Sequence, residues 1–204
     1  MSLEIEKNFY KYDEKFVKTK LKKMNASYTI NLLKTFKIKH NKLMVRVRDE
    51  GYRKTFTIKN KNNNNNYNKE YEVTVSDIKL TLKMLKLLGF KNVIYQEKIR
   101  ETYFYKNSEI CFDFVPGQEN FLQIESKTEA ELNGLIEILK LNNNDQHINP
   151  CENYGLIKEE IKDKIKFNSI QEIENLVLKN HDEFKIMIKR QNNLYKSLMK
   201  LDKI

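Results

Sequence analysis

Two stretches decide the fold: Val45-Arg46-Val47-Arg48 and Phe56-Thr57-Ile58-Lys59. In each, apolar side chains alternate with charged or polar ones, and a period of two puts the two sets on opposite faces of an extended strand. The same alternation recurs on both sides. Glu4 and Glu6 flank Ile5, Glu70 and Glu72 alternate with Tyr71 and Val73, and Lys98 and Arg100 flank Ile99. Asp113 sits between Phe112 and Phe114, while Gln123 and Glu125 alternate with Leu122 and Ile124. From residue 3 to residue 127 strands therefore outnumber helices, and each has one greasy face, which predicts a mostly antiparallel sheet.

Helices interrupt the series. Asp13 is placed to cap a segment carrying Phe16, Val17, Leu21 and Met24 on one face, and Ser76 or Asp77 to cap a second that stops at Gly89. Thr128 and Glu131 have capping-box spacing ahead of Leu132, Leu135, Ile136 and Leu139. After Pro150 the pattern is helical throughout: Tyr154, Ile157, Ile161 and Ile165 share one face, and Ser169 with Glu172 repeats the capping box. A seam of Phe184, Met187, Gln191, Leu194, Leu198 and Leu201 follows, spaced for packing on its own domain or preceding helix, or for binding a partner. The polar runs Asn62–Asn66 and Asn142–Asn144 read as loops. The expected division is a domain over 1–165 and a helical extension over 166–204.

The charges are sorted by strand: acid pairs at 4/6 and 70/72, single acids at 113 and 125, basic pairs at 46/48 and 98/100. Alternation alone leaves two readings open. Either the charged face is solvated, or the sheet curls into a barrel whose interior gathers carboxylates and cations that then need partners or a ligand. Oxygen ligands of this kind suit Mg²⁺ or Mn²⁺, and Arg and Lys suit phosphate oxygens.

The chain has 204 residues and a net charge of +10, which points to anionic partners, although a Lys-, Asn- and Ile-rich composition accounts for part of the basicity. Cys111 and Cys151 lack CxxC spacing and read as reduced thiols, so a cytoplasmic, intracellular location is expected. No signal-like or membrane-spanning stretch is present, and no membrane partner is expected. His40, His147 and His181 are isolated, which argues against zinc, and there is no P-loop, GxGxxG or GxSxG. Cys111 reads as a small core hydrophobe, and Tyr103, Phe104 and Tyr105 as core aromatics more readily than as a stacking platform for a base.

In order and spacing these strands resemble the CYTH family, the triphosphate tunnel metalloenzymes, from about residue 3 to 157. Glu4-Ile5-Glu6 resembles its ExExK strand, Val45-Arg46-Val47-Arg48 its LRxR strand, Thr57-Ile58-Lys59 a strand ending in lysine, and Glu70 with Glu72 its next ExE pair. Leu88-Gly89-Phe90 with Lys98-Ile99-Arg100 resembles LGF…KxR, Asp113 the aspartate strand, Phe121 to Glu125 the FxExE strand, and Asn153-Tyr154 the Ser-Tyr step. There are departures. Asn8 stands in place of the first motif's lysine, with Lys7 one residue early and on the other face; Gln123 replaces a glutamate, and Asn68 an arginine.

The resemblance implies an α+β fold: an eight-stranded antiparallel β-barrel, or tunnel, with flanking helices and a C-terminal helical extension. It implies that Arg46, Arg48, Lys59, Lys98 and Arg100 hold a triphosphate. Glu4, Glu6, Asp113, Gln123 and Glu125 hold Mg²⁺ or Mn²⁺, with Glu4, Glu6 and Glu125 as the catalytic carboxylates, and Glu70 and Glu72 serve the metal or the cations. The implied activity is hydrolysis of a triphosphate, whether tripolyphosphate (a polyphosphate), a nucleoside triphosphate, thiamine triphosphate or an RNA 5′ end. An adenylate cyclase and a non-catalytic polyphosphate-binding module are the alternatives. A homodimer is also compatible with the resemblance.

Overall fold

The computed structural model describes residues 2–40, 43–60, 67–91, 93–116, 120–142, 164–165 and 167. In chain order the elements are β1 (Ser2–Phe9), α1 (Glu14–Lys23), β2 (Ser27–His40), β3 (Leu43–Asp49), β4 (Lys54–Asn60) and β5 (Tyr67–Thr74). They continue with α2 (Ile78–Leu87), β6 (Val93–Tyr105), β7 (Ser108–Phe114), β8 (Phe121–Ser126), α3 (Glu129–Ile138) and β9 (Lys164–Ile165).

Hydrogen bonding runs β2-β3-β4-β5-β1-β8-β7-β6, and β6 then pairs back onto β2. The circuit is therefore closed, and each of its eight seams is antiparallel. The closing seam is the longest, with Ser27 opposite Phe104 and Ile38 opposite Val93, twelve residue pairs in all. Among the described residues the shortest seam joins β1 to β5 through four pairs, from Ser2 opposite Glu70 to Ile5 opposite Tyr67. This is the eight-stranded antiparallel barrel expected from the sequence, with one addition. Ile165 was expected on a helical face, but Lys164–Ile165 instead lies parallel to β6 at Tyr95 and Gln96. β7 pairs with β6 only from Ile99 onward, so this part of the β6 edge is open to a short strand.

The helices start where side-chain oxygens cap them. Asp13 accepts from the Phe16 amide at 2.9 Å, Asp77 rather than Ser76 from the Leu80 amide at 2.9 Å, and Thr128 from the Glu131 amide at 3.2 Å. After α2, Gly89 takes φ +86°, a left-handed conformation suited to glycine. Val17 and Leu21 of α1 and Leu132, Leu135 and Ile136 of α3 are buried. Leu85 of α2 packs with Ile38, Val45 and Val47, the outward residues of β2 and β3. The apolar core thus lies between the barrel's outer wall and its helices, which leaves the inside for polar side chains.

The chain divides into compact units at Met1–Lys166 and Phe167–Ile204. The strands and helices above all belong to the first. The expected helices over 154–163 and 166–204, the C-terminal seam, the Asn62–Asn66 run, Cys151 and Asn153-Tyr154 lie outside the described residues, Phe167 apart.

Candidate functional site

Because side chains alternate across each strand, closing the sheet turns one whole set inward. The result is a cavity of about 840 Å³ lined by Arg46, Arg48, Lys59, Lys98 and Arg100 together with Glu6, Glu70, Glu72, Asp113, Gln123 and Glu125. Of the two readings that alternation left open, the interior one is the arrangement seen. Glu4 sits on β1 opposite Asn68, but its side chain is outside the described residues.

The interior charges form two ion-paired groups. On β3, β4 and β5, Arg46 Nη2 donates to Glu70 Oε1 at 2.7 Å, to Glu72 Oε2 at 3.3 Å and to Thr57 Oγ1 at 3.2 Å. Lys59 Nζ lies 2.6 Å from Glu70 Oε2, and Thr57 donates to Glu72 at 2.9 Å. On β6 and β7, Arg100 grips Asp113 with two bonds, Nε to Oδ1 at 2.7 Å and Nη2 to Oδ2 at 2.6 Å, and Lys98 Nζ donates to Oδ2 at 2.6 Å. Asp113, which the resemblance puts among the metal ligands, is thus a fully buried acid held by two cations. Burial alone raises its pKa; Arg100 and Lys98 outweigh that and hold its carboxyl well below the usual carboxylate range.

Two of the cations, Lys98 and Arg48, carry the opposite strain. Burial, reinforced by Arg100, pushes Lys98 down to about 7 against the pull of Asp113. Burial, with Arg46 and Arg100 nearby, pushes Arg48 down to about 9. Arg48 Nη1 stands 3.5 Å from Glu50 Oε1 and its Nε donates to Thr35 at 3.3 Å. Buried cations under mutual repulsion gain when an anion arrives beside them.

Gln123 links the second group to β1. Its Oε1 accepts from Arg100 Nη2 at 2.7 Å and its Nε2 donates to Glu6 Oε2 at 3.1 Å. A glutamate there would set two carboxylates side by side; the amide satisfies a cation and an anion at once. Asn8, register partner of Gln123, is buried, and its Oδ1 has no partner. Lys7 points the other way and donates to Asn133 of α3 at 3.5 Å.

The oxygen donors fit a hard divalent cation. Glu6 and Glu125 are register partners across β1 and β8, and the orphaned oxygen of Asn8 is on the same face of β1 as Glu6. Among the described residues no three Asp, Glu, His or Cys side chains form a metal cage. The Glu6–Glu125 pair is the kind of donor set that Mg²⁺ uses when one or two carboxylates combine with substrate phosphates and water.

Several lining residues went unread in the sequence: Asn31, Thr35, Glu50, Arg53, Gln96 and Glu109. Gln96 and Glu109 share the period-two phase of Lys98 and Asp113, which is the signal that identifies them. Glu50 and Arg53 flank the β3–β4 turn, where Arg53 Nε bonds Glu50 at 2.6 Å, and no alternation extends into a turn. Phe104, expected in the core, is instead 39% exposed at the cavity wall.

The family model for the CYTH domain matches residues 29–148, more than half of the 204. Among solved structures, the PH1012 protein of Pyrococcus horikoshii is 23% identical with a TM-score of 0.64, over 72% of this chain and 95% of that one. A conserved hypothetical protein of Pyrococcus furiosus is 19% identical with a TM-score of 0.63, covering 72% and 97%. A putative adenylate cyclase of Vibrio parahaemolyticus is 14% identical with a TM-score of 0.62, covering 74% and 96%. These likenesses establish a shared fold. No curated protein matches the chain.

Proposed function

The chain belongs to the CYTH domain family, and from that premise we propose that it is a metal-dependent phosphohydrolase acting on a triphosphate. Members of that family are often triphosphatases or adenylate cyclases. The observation that carries the reading is the charge balance of the cavity. Among the described residues its lining has Lys37, Arg46, Arg48, Arg53, Lys59, Lys98 and Arg100 against Glu6, Glu50, Glu70, Glu72, Glu109, Asp113 and Glu125, seven of each sign. Cations suited to phosphate oxygens are therefore present, but the described lining has no surplus to offset a triphosphate. Co-bound divalent cations offset part of that charge.

In this reading Arg46, Arg48, Lys59, Lys98 and Arg100 bind the phosphate chain. Glu50, Glu70, Glu72 and Asp113 keep those cations aimed inward, by the bonds described above, until the ligand displaces or shares them. Glu6 and Glu125, with Glu4 from the same strand as Glu6, hold the metal, and Gln123 fixes the Glu6 carboxylate through its amide. When bound, Mg²⁺ or Mn²⁺ neutralises the phosphate chain and polarises it toward attack by water. Catalysis is then positioning and electrostatics, with no protein nucleophile. Tripolyphosphate, nucleoside triphosphates, thiamine triphosphate and RNA 5′ ends all present this group.

Gln123 favours a second reading, a non-catalytic polyphosphate binder, because its amide brings no charge to the metal site. Product analysis with tripolyphosphate, ATP and 5′-triphosphate RNA in Mg²⁺ or Mn²⁺ separates the possibilities. Orthophosphate release that is lost in Glu6→Gln, and weakened through KM in Arg48→Ala, supports the hydrolase. Tight binding without turnover supports the binder, and cyclic AMP with pyrophosphate supports a cyclase.

A further inference from the structure

Helix α2 carries three stripes where an ordinary surface helix has two. Ile78, Leu82 and Leu85 face the barrel and pack on the cluster of Ile38, Val45 and Val47. Leu80, Met84, Leu87 and Leu88 form a second apolar stripe on the far side, exposed by 56, 56, 81 and 74% respectively. Lys79, Lys83 and Lys86 run along one flank between them, all exposed. From Asp77 to Lys91 the only acid is Asp77, whose carboxylate is committed to the helix cap. The outer stripe contributes nothing to the tunnel lining, so the proposed chemistry does not account for it.

The geometry points to an anionic lipid surface as the partner of this stripe: α2 lies in the plane of the interface, its outer leucines enter the acyl boundary and its lysines meet the headgroups. Two features select lipid over a partner helix. The stripe is a ridge that grows more exposed toward its C-terminal end, whereas a docking helix is usually received in a groove. Its flank is uniformly basic, so its charge complement is an anionic plane. An antiparallel second copy of α2 would set the two lysine rows side by side, and the solution mass below tests any pairing of copies. The contact is peripheral, because α2 itself has ten residues and is too short to cross a bilayer.

The test uses the full chain with vesicles of phosphatidylcholine containing about 30 mol% phosphatidylserine, beside vesicles of phosphatidylcholine alone. The chain has no tryptophan, so Leu87→Trp places a single emission probe on the stripe. Expected are co-sedimentation with the anionic vesicles only, a blue shift of the probe, and weakening of at least about tenfold in both Leu87→Glu/Leu88→Glu and Lys79→Glu/Lys83→Glu/Lys86→Glu. These side chains are exposed, so thermal unfolding should match the wild type and triphosphate turnover should be unchanged. No binding, or equal binding by the variants, overturns the inference. So does a mass in solution that falls from dimer to monomer in the leucine variant without any vesicle binding, because the stripe is then an interface between copies.

Discussion

Asp113 is the residue on which the cationic half of the tunnel depends. Replacing it with Asn leaves Lys98 and Arg100 buried without their counter-charge, and stability should fall by about 3–5 kcal/mol in urea unfolding at neutral pH. Lys98 sets a pH dependence. With its folded pKa near 7, below the roughly 10.4 of an unfolded chain, the unfolded state binds more protons in between. Its contribution to stability therefore rises as pH rises through that window, while its capacity to bind an anion falls. Tripolyphosphate affinity should weaken above about pH 7, and Lys98→Arg should flatten the profile in calorimetric titrations, because a guanidinium stays charged. A profile of the same slope in both proteins would remove Lys98 from the binding site. What made Lys98, Arg100 and Asp113 readable in the sequence was shared phase on alternating strands. What the sequence did not show was the pairing of Asp113: phase says which face a carboxylate takes, but not which side chains it meets across the next strand.

At the scale of elements, propensity and patterning agreed wherever a strand had one apolar face. The three helices were legible from Asp13, Asp77 and Thr128 because caps are local. The strand over 164–165 was not, since Ile157, Ile161 and Ile165 fit a helical period and only the open edge of β6 explains the extended backbone. The length of β2 was also hidden. Thr29, Asn31 and Thr35 are neutral and carry no charge pattern, yet the fourteen residues of β2 are all paired, Ser27–Ile38 with β6 and Lys34–His40 with β3. For α2 the two apolar stripes should separate cleanly by mutation. Leu85→Ala removes a buried side chain and should cost about 2–5 kcal/mol, whereas Leu87→Ala should stay within about 0.5 kcal/mol of wild type in the same denaturant experiment.

For the molecule as a whole, seam length ranks the wall. Among the described residues four pairs join β1 to β5 and twelve join β2 to β6. In native-state hydrogen exchange the amides bonding across the β1–β5 seam, within Ser2–Ile5 and Tyr67–Glu70, should exchange well before those across β2–β6, within Leu32–Phe36. Uniform protection around the ring would contradict this order. Closure also imposes an arithmetic of its own. A ring in which every neighbour runs the opposite way must hold an even number of strands, as two colours can alternate only around an even loop. The eight strands meet that condition, and β9, which pairs in parallel, stays outside the circuit. A lone extra strand, inserted anywhere in this wall, must leave two neighbours pointing the same way. Such a tunnel can widen or narrow while keeping its pattern only by gaining or losing strands two at a time, most simply as a whole hairpin.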